Sequence, residues 1–133
     1  QADQRTLEAV IANRYEVMAG YARELRLACR AEFMAHRASN KDVSLLKTAR
    51  RWLHRDEDKV PEAARQVLAQ ARAAHPVLDK MVVMREELRQ MWLSTSRNSE
   101  QLAADLQAWC RRAEESGIEA LRQFSMRLRA AQM

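Results

Sequence analysis

The sequence predicts an all-α fold, about six helices in a bundle with the first helix long, and three observations carry that reading. Only 2 glycines and 2 prolines punctuate the 133 residues, and aromatic residues are 5% of the chain. Strands need turn residues and favour β-branched and aromatic side chains, so both scarcities disfavour a sheet. Hydrophobic residues make up 47% and charged residues 31%, a balance suited to amphipathic helices and not to a disordered chain. Third, apolar residues recur at three- and four-residue steps along most of the chain.

The first predicted helix runs from about Asp3, its N-cap, to Ala38. Its stripe is Leu7, Val10, Ile11, Val17, Met18, Tyr21, Leu25, Cys29 and Phe33. Such a rod, roughly 50 Å long, needs a partner helix along its length, because its own hydrogen bonds do not stabilise it. Ser39, Asn40 and Asp42 read as a polar break before a short helix from about Val43 to His54, which buries Leu45, Leu46, Ala49, Trp52 and Leu53. The acidic run Asp56, Glu57 and Asp58 ahead of Pro61 suits the first turn of the next helix, which reaches Ala74. Pro76 marks a restart, since proline fits a first turn but not a helix interior. The helix it opens continues to Leu93.

Ser94 to Ser99 is a polar connection, and Asn98 with Gln101, or Ser99 alone, provides a cap for the next helix. Leu102, Leu106, Trp109, Cys110 and Ala113 form that helix's stripe, and Gly117 suits a left-handed residue that ends it. A last basic helix carries Ile118, Leu121, Phe124 and Leu128. No linker marks a second domain, so residues 1–133 read as a single helical domain. The start at Gln1, inside a helical pattern, reads as a fragment of a larger protein.

The formal net charge is +5 and the isoelectric point about 9.8. Lysine occurs only at 41, 47, 59 and 80, so most of the positive charge is arginine. A mild basic excess favours acidic partners, nucleic acid or anionic lipid head groups, without choosing between them. Cys29 and Cys110 are far apart and suit small buried hydrophobes in a reducing compartment, not a disulfide framework. No apolar run approaches the roughly 18 residues that span a bilayer, and no signal peptide is visible.

The search for chemistry returns no catalytic residue. His36, His54 and His75 each fall near a predicted helix end, where a histidine meets the last carbonyls, and no two share the four-residue step of paired metal ligands. Glu32 stands four residues before His36, but a di-iron bundle needs Glu-x-x-His on two helices plus further carboxylates. The expectation is therefore no metal or cofactor in this segment. Glu86, Glu87, Glu114 and Glu115 suit solvated faces and helix ends, and two isolated glycines cannot build a phosphate loop. The most suggestive local feature is the basic run Lys47, Arg50, Arg51 and Arg55, a surface for an acidic partner. On one helix these side chains reach across phosphates or toward an anionic membrane leaflet. Trp52, Trp92 and Trp109 lie on apolar stripes and read as core.

Two stretches resemble known proteins. Residues 6–23 (TLEAVIANRYEVMAGYAR) resemble the region after the catalytic domain of bacterial membrane fatty-acid desaturases. From Lys47 to Leu128, the runs RWLHRD, MREELRQMW and LQAWCRRAEESGI, with Phe124 and Leu128, resemble the tail of the same proteins. That resemblance implies a non-catalytic C-terminal helical domain on the cytoplasmic side of the inner membrane. Its parent would be a di-iron oxidoreductase of lipid metabolism that introduces a double bond into a fatty acyl chain. The tail's task would be docking an electron donor, self-association into a homo-oligomer, or contact with the anionic membrane surface. None of the histidine boxes that hold the iron is present, so no catalytic residue carries over. The second stretch also resembles a helical part of ISL3-type DDE transposases, whose catalytic carboxylates lie outside this kind of helical run. Under that alternative the partner is nucleic acid. The first helix, through Ile11 to Tyr15, fits the desaturase tail better, which makes that tail the leading expectation.

Overall fold

A computed structural model of the chain describes residues 4–94 and 96–130. The described residues are all-α, without strands: α1 (Gln4–Ala12), α2 (Arg14–Ala35), α3 (Asn40–Trp52), α4 (Glu62–Ala74), α5 (Pro76–Leu93), α6 (Ser99–Glu114) and α7 (Glu119–Ala130). One 3-10 turn, Glu57–Lys59, precedes α4. The chain divides into two compact units, residues 1–20 with 83–133, and residues 21–82; the boundaries fall inside α2 and α5.

In the first of these units α6 and α7 form a hairpin, and α1 packs on both. Asn98 and Gln101 close a capping box at the start of α6: the Asn98 side chain accepts from the Gln101 amide at 2.8 Å, and the Gln101 side chain accepts from the Asn98 amide at 3.0 Å. Gly117, just beyond α6, has φ +79, the left-handed conformation that its lack of a Cβ permits. The core centres on Trp109, which is fully buried. Its indole N–H donates to the Met84 carbonyl at 2.9 Å, and its ring meets Phe124 edge-on at 5.9 Å. A second tie joins α6 to α7, where Glu114 accepts from Ser125 at 2.6 Å and from Arg129 at 2.5 Å.

The second unit packs α3 on α4. Tyr21, fully buried, donates its hydroxyl to the Met81 carbonyl at 2.5 Å. Leu25, Cys29, Leu46, Ala49, Ala71 and Leu78 of the same unit are also buried. Burial pushes the Cys29 thiol up to about 12, with Arg50 lowering it and Glu32 raising it, so Cys29 is the inert small hydrophobe the sequence suggests.

Three helix boundaries differ from expectation. The long first helix is interrupted at Asn13 and stops at Ala35. The Asn13 side-chain amide donates to the Ala9 carbonyl at 3.0 Å, while its backbone N–H bonds both Ala9 and Val10 carbonyls. Asparagine thus competes with the helix ladder for its own turn. The expected cap at Asp3 lies outside the described residues. Second, α3 starts at Asn40, because Ser39 caps it by accepting from the Asp42 amide at 3.3 Å. Third, the acidic run forms the separate 3-10 turn, and Pro61 occupies the N-cap of α4.

The Glu114 tie makes stability depend on pH. Burial raises the Glu114 carboxyl, but hydrogen bonds from Arg129 and Ser125 outweigh it and leave the pKa below the usual 4.5. A carboxylate depressed on folding contributes stability above its unfolded pKa and loses it as pH falls through the folded value. Glu114→Gln is therefore expected to cost about 1 kcal/mol in urea unfolding at neutral pH, the pair being part-exposed. The deficit should shrink as the wild type is titrated below pH 4.5. A deficit that stays constant down the titration contradicts this tie.

Candidate functional site

Two features of the second unit carry chemistry, and the first is built at the junction between α4 and α5. His75 is the single residue between these helices, and Pro76 follows it. Proline pushes the residue before it out of helical geometry, and His75 accordingly has φ −129 and ψ 85. Its N–H still closes α4 on the Ala71 carbonyl at 2.9 Å, while its carbonyl accepts from Leu78 and Asp79 at the start of α5.

The ring of His75 is buried, with a relative exposure of 2%. Nδ1 lies 2.8 Å from Glu32 Oε1, near the end of α2, and Nε2 lies 3.1 Å from Asp42 Oδ1, in the first turn of α3. His36, one helical turn after Glu32, meets the His75 ring edge-on at 5.1 Å and places its Nε2 3.9 Å from Glu32 Oε1. Glu32, His36 and His75 each bring one ligand atom within 4.8 Å of the others. Among the described residues no other group of three such side chains, and so no trio of carboxylates, comes that close. A hydrogen bond from Ser39 and then the His75 contact hold the Asp42 carboxyl below the usual carboxylate range, against the opposing effect of burial.

The structure places His36, His54 and His75 each just past a helix end, as the sequence suggests. What linear reading missed is that His75 reaches Glu32 across 43 residues and Asp42 across 33. The pattern Glu32–His36 was visible at four-residue spacing, but nothing local announces the third member.

The second feature is the outward side of α3. Leu45, Leu46, Ala49 and Leu53 are buried, which turns Lys47, Arg50, Arg51 and Arg55 to the exterior, where all four are exposed. At about 100° per residue, Lys47 and Arg51 stand roughly 40° apart, with Arg50 some 60° to the other side. Arg55 follows in the turn after the helix. Trp52 departs from the expected core role: it is half-buried, with the Arg51 guanidinium 5.4 Å and the Arg55 guanidinium 5.8 Å from its ring centroid. The indole face thus orders two of the four cations. None of the four has an ion pair among the described residues, unlike Arg65, Arg72, Arg89, Arg97, Arg112, Arg122 and Arg129.

A basic face, with no carboxylate trio among the described residues, leaves several families open, and comparison with known proteins decides among them. The family model of ISL3-type DDE transposases, described as transposase, matches residues 6–132. The chain belongs to that family. No curated protein and no solved structure gives a significant match.

Membership in the ISL3-type transposase family overturns the desaturase reading, including at the first helix that had favoured it, since the match begins at residue 6. The resemblance rested on helix stripes and caps, and these recur wherever amphipathic helices pack. With it go the di-iron parent, the fatty-acyl chemistry and the oxidoreductase assignment. The partner expectation moves from an electron donor, a second copy or an anionic membrane surface to nucleic acid. No helix of the described residues is long and apolar enough to cross a membrane.

The geometry at His75 predicts a large stability effect. Replacing it by alanine removes the group that faces two carboxylates, leaving both without their buried partner. His75→Ala should cost about 2–4 kcal/mol in chemical denaturation, since truncating one member of a buried hydrogen-bonded cluster leaves its partners unsatisfied. His36→Ala, at a side chain 45% exposed, should stay within about 0.5 kcal/mol of wild type. Equal effects at both positions contradict the assignment of His75 as the organising residue.

Proposed function

We propose that this chain is a DNA-associated helical region of an ISL3-type DDE transposase, contributing contacts to the sugar–phosphate backbone and not the reacting carboxylates. The observation that carries the reading is the exposed face of Lys47, Arg50, Arg51 and Arg55, free of ion pairs among the described residues, in a chain of a transposase family. Cations already paired with carboxylates lose that partner when they meet phosphate; unpaired ones do not. Lys47 and Arg51 lie about 6 Å apart along α3, a step comparable with that between successive phosphates of one strand. Arg51 and Arg55, stacked on Trp52, lose less side-chain freedom on binding.

Backbone contacts of this kind position a protein on a duplex without reading sequence. Affinity should therefore vary little between duplexes of different sequence and fall steeply with salt, each phosphate contact adding about 0.9 to the slope of log K against log salt. In fluorescence anisotropy with a labelled duplex, the combined change Lys47→Gln, Arg50→Gln, Arg51→Gln and Arg55→Gln should weaken binding at least about tenfold and flatten that slope by roughly 2–4. Binding with an unchanged salt slope in the quadruple variant, or no binding by the wild type at low salt, would falsify the reading.

A further inference from the structure

We propose that Glu32, His36 and His75 form a binding site for a divalent transition-metal ion of the zinc class, with Asp42 as the carboxylate that orients His75. The site lies wholly within residues 21–82 and does not rest on the DNA reading.

The donor set is the first argument. Two imidazoles and one carboxylate are a ligand combination zinc favours, and three protein ligands leave a further position for solvent. The positions suit it as well. Glu32 lies in the last turn of α2 and His36 just past its end, at the four-residue spacing of paired metal ligands, and His75 approaches from the junction of α4 and α5. Ligand atoms about 2.0–2.1 Å from a tetrahedral zinc lie about 3.3 Å from one another. The separation from Glu32 Oε1 is 2.8 Å to His75 Nδ1 and 3.9 Å to His36 Nε2, which bracket that value. His36, being exposed, is free to adjust.

The hydrogen bonding of His75 is the second and independent argument. Metal-bound histidines commonly donate their other ring N–H to a carboxylate, which fixes the tautomer and the ring's orientation. His75 has the geometry for this: Nε2 lies 3.1 Å from Asp42, and the tautomer that donates there leaves Nδ1 as a lone pair directed at Glu32, 2.8 Å away. A neutral ring has one N–H and cannot serve both carboxylates. A metal ion between Nδ1 and Glu32 would satisfy the contact that the single N–H leaves open. A divalent ion also neutralises the two carboxylates that converge on this buried ring. Such an ion would staple the end of α2 to the α4–α5 junction.

The test uses the 133-residue chain freed of metal by chelation. Added Zn²⁺, at a large excess over its dissociation constant, should raise the melting temperature by roughly 5 °C or more, and Mg²⁺ at the same concentration should not. Co²⁺ should give the visible d–d absorption of a tetrahedral site. His36→Ala should abolish both responses while leaving the metal-free melting temperature unchanged. His36→Gln, which retains more of the side chain's bulk, should do the same if the alanine variant proves less stable. Asp42→Asn should keep the site but lower its zinc affinity about tenfold to a hundredfold. The proposal is overturned if Zn²⁺ produces no shift and Co²⁺ no band, or if both responses persist in the His36 variants, which would identify adsorption elsewhere.

Discussion

Within residues 21–82, the imidazole of His75 is the contact on which the arrangement of helices depends. Its backbone ends α4 and starts α5, because Pro76 excludes a continuous helix, and its ring then fills the space between Glu32 of α2 and Asp42 of α3. Three segments distant in sequence are thereby fixed by one planar group with two nitrogens. A buried ring between two carboxylates is costly unless both contacts are satisfied, so the geometry tolerates little displacement. The orientation of α3 follows from this anchor together with Leu45, Leu46, Ala49 and Leu53, which are buried along one side. The basic side is then exterior by geometry, since a helix that buries one stripe exposes the opposite one.

The residues 1–20 and 83–133 rest on a different kind of contact, the indole of Trp109 sunk into apolar side chains with its N–H on the Met84 carbonyl. Tyr21 makes the equivalent bond to Met81 in the other unit. In both cases a large aromatic side chain is fully buried only because its one polar atom finds a backbone acceptor. Polar chemistry is therefore used in two ways in this chain. Single donors lock the cores, whereas at His75 one ring faces two carboxylates.

Much of the fold was legible because its signals are local. The shortage of glycine, proline and aromatic residues fixed the class, the Asn98–Gln101 pair marked a real capping box, and Pro76 marked a real restart. The Ser39, Asn40 and Asp42 stretch was equally local but read as a polar break, whereas the bond from the Asp42 amide makes Ser39 the cap of α3. Asn13 was hidden for the opposite reason: a single residue that back-bonds its own turn leaves the apolar stripe undisturbed. The His75 cluster was not legible, because it is assembled from residues 33 and 43 positions apart and no periodicity links them. The family was half legible. The transposase likeness was present in the second stretch, but amphipathic stripes without a chemical motif fitted a desaturase tail as well, and the match over residues 6–132 separates them.

We propose that this transposase-family chain meets DNA with the outward side of α3. Amide chemical shifts of the isotopically labelled chain, followed during titration with a short unlabelled duplex at low salt, test it most directly. Progressive, salt-reversible shifts concentrated between Lys47 and Arg55 are expected, with α6 and α7 little changed. Shifts centred on α6 and α7, or none at all, would contradict it.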